Sequence, residues 1–115
     1  MKGIYILLIN VEKDLKINVG SLGKIDFKKG IYCYVGSAQN NLEKRILRHI
    51  SKNKRKFWHV DYLLSNRWAN VIGVIYIEAD KNMECKIARE LEKKKDFIPK
   101  FGSSDCKCKS HLFRV

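Results

Sequence analysis

The sequence predicts a mixed α/β domain whose strongest strands pair antiparallel. Two observations carry that prediction. Apolar, β-branched and aromatic runs at 3–10, 30–36 and 70–78 read as strands. Apolar residues at helical spacing follow residue 40 and again residue 80. The resulting order is strand, hairpin excursion, strand, helix, helix, strand, helix, tail, with the 70–77 strand as neighbour of the first two.

Residues 3–10, GIYILLIN, suit a central strand. The segment 11–29 holds weaker strand signals at Ile17–Val19 and Ile25–Phe27, punctuated by Gly20 and Gly23, and predicts a hairpin. Residues 30–36, GIYCYVG, form the second strand, closed by glycine at both ends. Asn40 then offers an N-cap, with Glu43 three residues later in a capping-box pattern. Leu42, Ile46, Leu47 and Ile50 predict one buried helix face. Residues 51–57, SKNKRKF, make a basic connector, and 58–64, WHVDYLL, a shorter helix. The third strand is NVIGVIYIE, 70–78. Asp80 or Asn82 caps a last helix with the apolar face Met83, Ile87, Ala88 and Leu91. Lys93–Lys95 suit its C-terminal end, and Pro99 stops it. The tail, FGSSDCKCKSHLFRV, reads as turns with a short strand at 111–115.

Length and composition narrow the function. A chain of 115 residues is one domain by size, spanning 1–115. With 45% hydrophobic residues it is not disordered throughout, and it has no run long enough to span a bilayer. The apolar N-terminus reads as a strand, because no small-residue cleavage site follows it. Lys plus Arg number 24 against 12 Asp plus Glu, a net charge of +12. That favours a polyanionic partner, nucleic acid ahead of an anionic membrane. Cysteines 33, 85, 106 and 108 are too few and too uneven for a disulfide framework, so a reducing cytoplasm is the expected setting.

Several groups could carry chemistry. Tyr5, Tyr32 and Tyr34 stand in glycine-flanked strands, and Gly36 would let the backbone approach a phosphate. Arg45 and His49, at i and i+4, share a helix face about 100° from the Leu42/Ile46 stripe. A planar guanidinium suits phosphate oxygens and the charge that develops on them. Among Glu84, Glu90 and Glu92, a carboxylate could seat a divalent cation. Glu84 is preferred and Glu90 is the fallback, since Glu90 has Lys94 at i+4 whereas Glu84 has Ala88 there. Lys44, Arg45, Arg48, Lys52, Lys54, Arg55 and Lys56 form a basic stretch leading into Phe57, Trp58 and His59, a pattern able to track a phosphodiester backbone. Cys106, Cys108 and His111 could ligate zinc, but no fourth ligand is evident, so structural zinc is not expected.

Together these residues resemble the GIY-YIG nuclease family. Gly3-Ile4-Tyr5 matches the first half of its name motif and Tyr34-Val35-Gly36 the second, followed by Ser37, Ala38, Asn41, Leu42, Arg45 and His49 at the family's spacing. Tyr5 and Tyr34 lie further apart than is usual. Gly30-Ile31-Tyr32 is too close to Tyr34 to be a separate first strand, so 11–29 becomes an insertion. WHVDYLL and the tail resemble the small, mostly archaeal Uri-like branch. The resemblance implies a small three-stranded antiparallel sheet flanked by helices, with a hairpin insertion between the first two core strands. It implies metal-dependent phosphodiester hydrolysis with one Mg²⁺ or Mn²⁺ on a glutamate. Tyr5 would help deprotonate water, Tyr34 would orient Tyr5 or the water, Arg45 would stabilise charge and His49 would hydrogen-bond within the site. Ser37 and Gly36 follow from the motif, and His59 from the branch. The expected substrate is DNA ahead of RNA, and a separate protein could supply targeting. A nucleic-acid-binding protein without turnover, on the same fold, is the alternative. A zinc-stabilised adaptor built on Cys106, Cys108 and His111 is a third reading.

Overall fold

The computed structural model describes residues 2–103 and 106–115; Met1, at the start of the expected domain, and Ser104 and Asp105 of the tail motif lie outside the described residues. The strands are β1 (Gly3–Val11), β2 (Leu15–Asn18), β3 (Lys24–Phe27), β4 (Gly30–Ala38), β5 (Ala69–Ile77), β6 (Asp96–Phe97) and β7 (Leu112–Arg114). The helices are α1 (Leu42–Ile50), α2 (His59–Leu64) and α3 (Asn82–Glu92), with one 3₁₀ turn at Gly20–Leu22.

β1 is apolar on both faces because it lies inside a sheet covered on both sides. One face presents Tyr5, Leu7, Ile9 and Val11, which pack with Leu42 of α1 and Val60, Leu63 and Leu64 of α2. The other presents Ile4, Ile6 and Leu8 towards Met83, Ile87, Ala88 and Leu91 of α3. The alternation follows from the two-residue period of a strand. Each fully buried Leu, Ile or Phe in these layers contributes about 1.5–3 kcal/mol. β1 pairs antiparallel with β4 on one side and β5 on the other, as predicted. The insertion is a hairpin, β2 paired with β3 in a sheet of its own.

The fold is α+β, but its main sheet has five strands, in the order β5-β1-β4-β7-β6, not three. The chain after α3 supplies the difference. β7 adds to the edge of β4 through Tyr32–Tyr34, and β6 adds to β7. β7 falls within the short strand expected at 111–115, whereas the two-residue β6 carries too little periodicity to be read from sequence.

Helix ends and faces also differ from prediction. Asn41, not Asn40, caps α1, accepting from the Lys44 amide at 2.9 Å. α3 starts after Lys81 without a side-chain cap, whereas Asp80 pairs with Lys2. It ends at Glu92, and β6 intervenes before Pro99, so the proline does not stop it. Leu42 is buried and Ile46 half-buried, but Leu47 is 67% exposed and Ile50 is exposed as well. At 3.6 residues per turn, Arg45, Leu42, His49 and Ile46 fall within an arc of about 100°, with Leu47 well outside it. Arg45 and His49 therefore share the inner face with Leu42 rather than standing apart from it. No helix among the described residues is long and apolar enough to cross a membrane.

Candidate active site

The strands fix the first two groups. Tyr5 stands opposite Gly36 and Leu7 opposite Tyr34 in the β1–β4 register. Tyr5 and Tyr34 therefore rise from one face as diagonal neighbours. A Cβ at Gly36 would fall inside the Tyr5 ring, so the close approach this glycine permits is that of the phenol. The Tyr5 hydroxyl lies 2.7 Å from His49 Nε2. Burial pushes the Tyr5 phenol up to about 12, while Arg45 beside it pulls the other way. Tyr34 packs edge-on against His49 and Phe101, and burial holds its phenol well above the usual range.

α1 adds the next pair from its inner face. Arg45 Nη1 donates to the Ser37 carbonyl at 3.1 Å, and its guanidinium lies 4.3 Å from the centre of the Trp58 ring. The stack and the hydrogen bond together restrict the guanidinium plane. Ser37 Oγ accepts from Gln39 Nε2 at 2.6 Å. His49 is fully buried; that burial, followed by the charge of Lys54, drives it down to about 3, so the ring is neutral. Among the described residues, its Nδ1 has no hydrogen-bond partner.

The first turn of α3 brings Glu84, whose side chain is only 13% exposed. Tyr5, Tyr34, Ser37, Arg45, Trp58, His59, Lys81 and Glu84 line one cleft of about 540 Å³. His49 stands behind Tyr5. Glu90 is not part of the cleft: it is exposed and pairs with Lys93 at 3.3 Å. Glu92 accepts from the Lys109 amide at 3.2 Å. His59 Nδ1 accepts from the Gly102 amide at 2.8 Å, which puts the proton of its neutral ring on Nε2, and burial lowers its pKa.

The basic stretch divides into two groups. Arg48, Lys52 and Lys54 are fastened to the protein. Arg48 forks onto Asp61 with both bonds at 2.9 Å and also donates to the Arg55 carbonyl. Lys52 donates to the carbonyls of Leu64, Asn66 and Ala69. Lys54 donates to those of Arg48 and His49. Lys44, Arg55 and Lys56 are exposed. Lys81, which sequence reasoning did not single out, adds a cation at the cleft.

Asp61 was missed as well. It is fully buried and accepts from Arg48 and from the Phe57 and Trp58 amides, the latter two at 2.8 Å. Burial raises its carboxyl, but the Arg48 fork and the two amides outweigh burial and hold it below the usual range. An acid at the third position of a short helix is a capping signal that could have pointed to it.

A second cluster lies beside Glu84. Cys106, Cys108 and His111 do have a fourth companion, Cys85 on α3; the ligating atoms of all four lie within 4.8 Å of one another. These residues could hold a metal ion, and thiolate with imidazole favours a zinc-like ion over Mg²⁺. The premise of the expectation against zinc does not hold. That expectation rested on a missing ligand, and that ligand sits on another element.

The family described as domain of unknown function DUF123 matches the chain over residues 4–115. No curated protein and no solved structure matches it.

Proposed function

The chain belongs to the DUF123 family, whose description states no chemistry, and from the cleft itself we propose a metal-dependent endonuclease of the GIY-YIG type, cutting phosphodiester bonds in DNA ahead of RNA. One observation carries this reading: Tyr5, Arg45 and Glu84, from three separate segments, line a single cleft in a chain of net charge +12.

Glu84 suits a hard divalent cation: it is one largely buried carboxylate beside space for water and phosphate oxygens. Mg²⁺ or Mn²⁺ there would polarise the scissile phosphate. The chain's own residues do the rest. With its proton on Nε2, His49 donates to Tyr5 Oη and leaves only a bare lone pair at the buried Nδ1, a smaller defect than an orphaned N–H. His49 and Arg45 then both favour the phenolate of Tyr5 and offset part of the burial that opposes it. The phenolate takes a proton from the attacking water. Arg45 faces the charge that grows on the phosphoryl oxygens. Tyr34 holds the His49 ring in place by packing. Lys44, Arg55, Lys56 and Lys81 follow the backbone, and Phe57, 77% exposed and edge-on to Trp58, offers a face to a base.

The test is an end-labelled panel of single-stranded, duplex and branched DNA and RNA, with Mg²⁺, Mn²⁺ or EDTA. Metal-dependent cutting is the expected result; binding without cutting on every substrate would establish the non-catalytic alternative. Glu84→Gln should lose cutting and bind Mn²⁺ at least about tenfold more weakly, the least that even an outer-shell change commonly costs. Glu90→Gln should behave as wild type, and the reverse pattern would move the metal.

Binding to duplex DNA should also weaken steeply with salt. If the four exposed cations each neutralise one phosphate, a plot of log affinity against log salt should have a slope of about −3 to −4. A flat plot would remove nucleic acid as the partner.

A further inference from the structure

Cys85, Cys106, Cys108 and His111 meet where the first turn of α3 touches the loop leading into β7. A tetrahedral zinc ion holds its sulfurs about 3.8 Å apart and a sulfur and a nitrogen about 3.6 Å apart. Cys106 Sγ and His111 Nε2 are already at 3.4 Å, and no pair in the cluster exceeds 4.8 Å. Closing the site therefore needs shifts of about 1 Å or less, within the reach of side-chain torsions. Outside the cluster's side chains, the thiols make weak backbone contacts: Cys108 Sγ lies 3.9 Å from the Cys85 carbonyl, and Cys106 Sγ lies 3.8 Å from that of Ser103. All three cysteines sit in or against the apolar layer under α3, where hydrated hard cations have no place.

The orientation of His111 adds a second feature. Its Nε2 faces Cys106, while its Nδ1 lies 3.9 Å from Glu84 Oε2. A metal-bound histidine commonly donates its other ring N–H to a carboxylate, which fixes both groups. We propose that Cys85, Cys106, Cys108 and His111 hold one structural zinc ion, and that His111, ligating through Nε2, positions Glu84 through Nδ1. The zinc site stands on the cluster alone, whereas the positioning role rests on the nuclease reading of Glu84. A zinc ion here would also cross-link α3 to the segment that delivers β7 to the sheet.

The experiment uses the full chain, purified under reducing conditions without added zinc. Elemental analysis should give one zinc per chain, lost in Cys106→Ser and Cys108→Ser and kept in Cys33→Ser, which lies outside the cluster. Cobalt(II) exchanged into the site should show the intense red-region absorption of a tetrahedral thiolate complex. A chain that carries no zinc and takes up neither zinc nor cobalt overturns the site, as does an intramolecular disulfide among Cys85, Cys106 and Cys108 in freshly isolated protein. For positioning, long-range proton–nitrogen NMR should show His111 with a metal-bound Nε2 and a protonated Nδ1; ligation through Nδ1 overturns the role. His111→Cys loaded with zinc should bind Mn²⁺ about tenfold more weakly than wild type, and unchanged Mn²⁺ affinity again overturns it. Wild-type protein with one zinc but no Mn²⁺ binding would sink the nuclease reading and the positioning role together, and leave the zinc site standing.

Discussion

Arg45→Ala is expected to lower the cleavage rate about 10²–10³-fold, the usual cost of removing one preorganised donor from developing charge. Two effects add. The variant loses the cation facing the phosphoryl oxygens, and it loses the group that pulls the Tyr5 phenol down against burial. Raising Tyr5 further should move the ascending limb of the pH–rate profile, on which the base loses its proton, to higher pH, a signature that a folding defect would not give. The stability cost is modest but not negligible. Arg45 is half-buried, donates to the Ser37 carbonyl and stacks on Trp58. A net hydrogen bond and a cation–π contact are each worth about 1 kcal/mol. The melting temperature should therefore fall by several degrees while the far-ultraviolet spectrum stays native. Arg45→Lys keeps the charge but not the fork or the flat stack, so it should recover only part of the rate. A variant that cuts at the wild-type rate removes Arg45 from the mechanism.

How far the sequence led can be judged on particular residues. Tyr5 and Tyr34 were legible as strand residues because long apolar, β-branched and aromatic runs are a strong, local signal, while the motif resemblance alone singled them out for the site. The rotation of α1 was not. Counting Leu47 and Ile50 as core assumes that apolar side chains take the inner face. Here Arg45 and His49 hold it, because the Ser37 carbonyl pairs with Arg45 Nη1 and the Tyr5 hydroxyl with His49 Nε2 there. That compensation comes from two strands, β4 and β1, and is invisible along the helix. Asp61 and Cys85 were missed for a related reason. Each draws its meaning from partners that lie far off in sequence or on other elements, Arg48 in one case and the tail ligands in the other. The choice of Glu84 over Glu90 rested on local pairing alone; the fold now separates them, one in the cleft and one on the outer surface beside Lys93.

Asp61→Ala is expected to give the largest loss of stability, about 3–5 kcal/mol, as when one partner of a buried ion pair is removed. The carboxylate is fully buried and accepts four hydrogen bonds, two from the Arg48 fork and one each from the Phe57 and Trp58 amides. Removing it strands a guanidinium and two N–H groups together, and each must be left unpaired or hydrated. The consequence reaches the cleft, because Arg48 lies 4.5 Å from the centre of the same Trp58 ring on which Arg45 stacks. Asp61→Asn should cost less than alanine, since its one amide oxygen can still accept part of the set. The pH dependence has a defined sign. The folded pKa of Asp61 lies below its unfolded value of about 3.9. Its charge therefore stabilises the fold fully above that value, and the contribution fades as pH falls through the folded one. Chemical denaturation at neutral pH and again near pH 3 should show the gap between wild type and Asp61→Ala narrowing in acid. An equal gap at both pH values would mean that the carboxyl acts by shape and hydrogen bonding alone. A loss below about 1 kcal/mol at neutral pH would mean that the Arg48–Asp61 pair does not hold α1, α2 and Trp58 together.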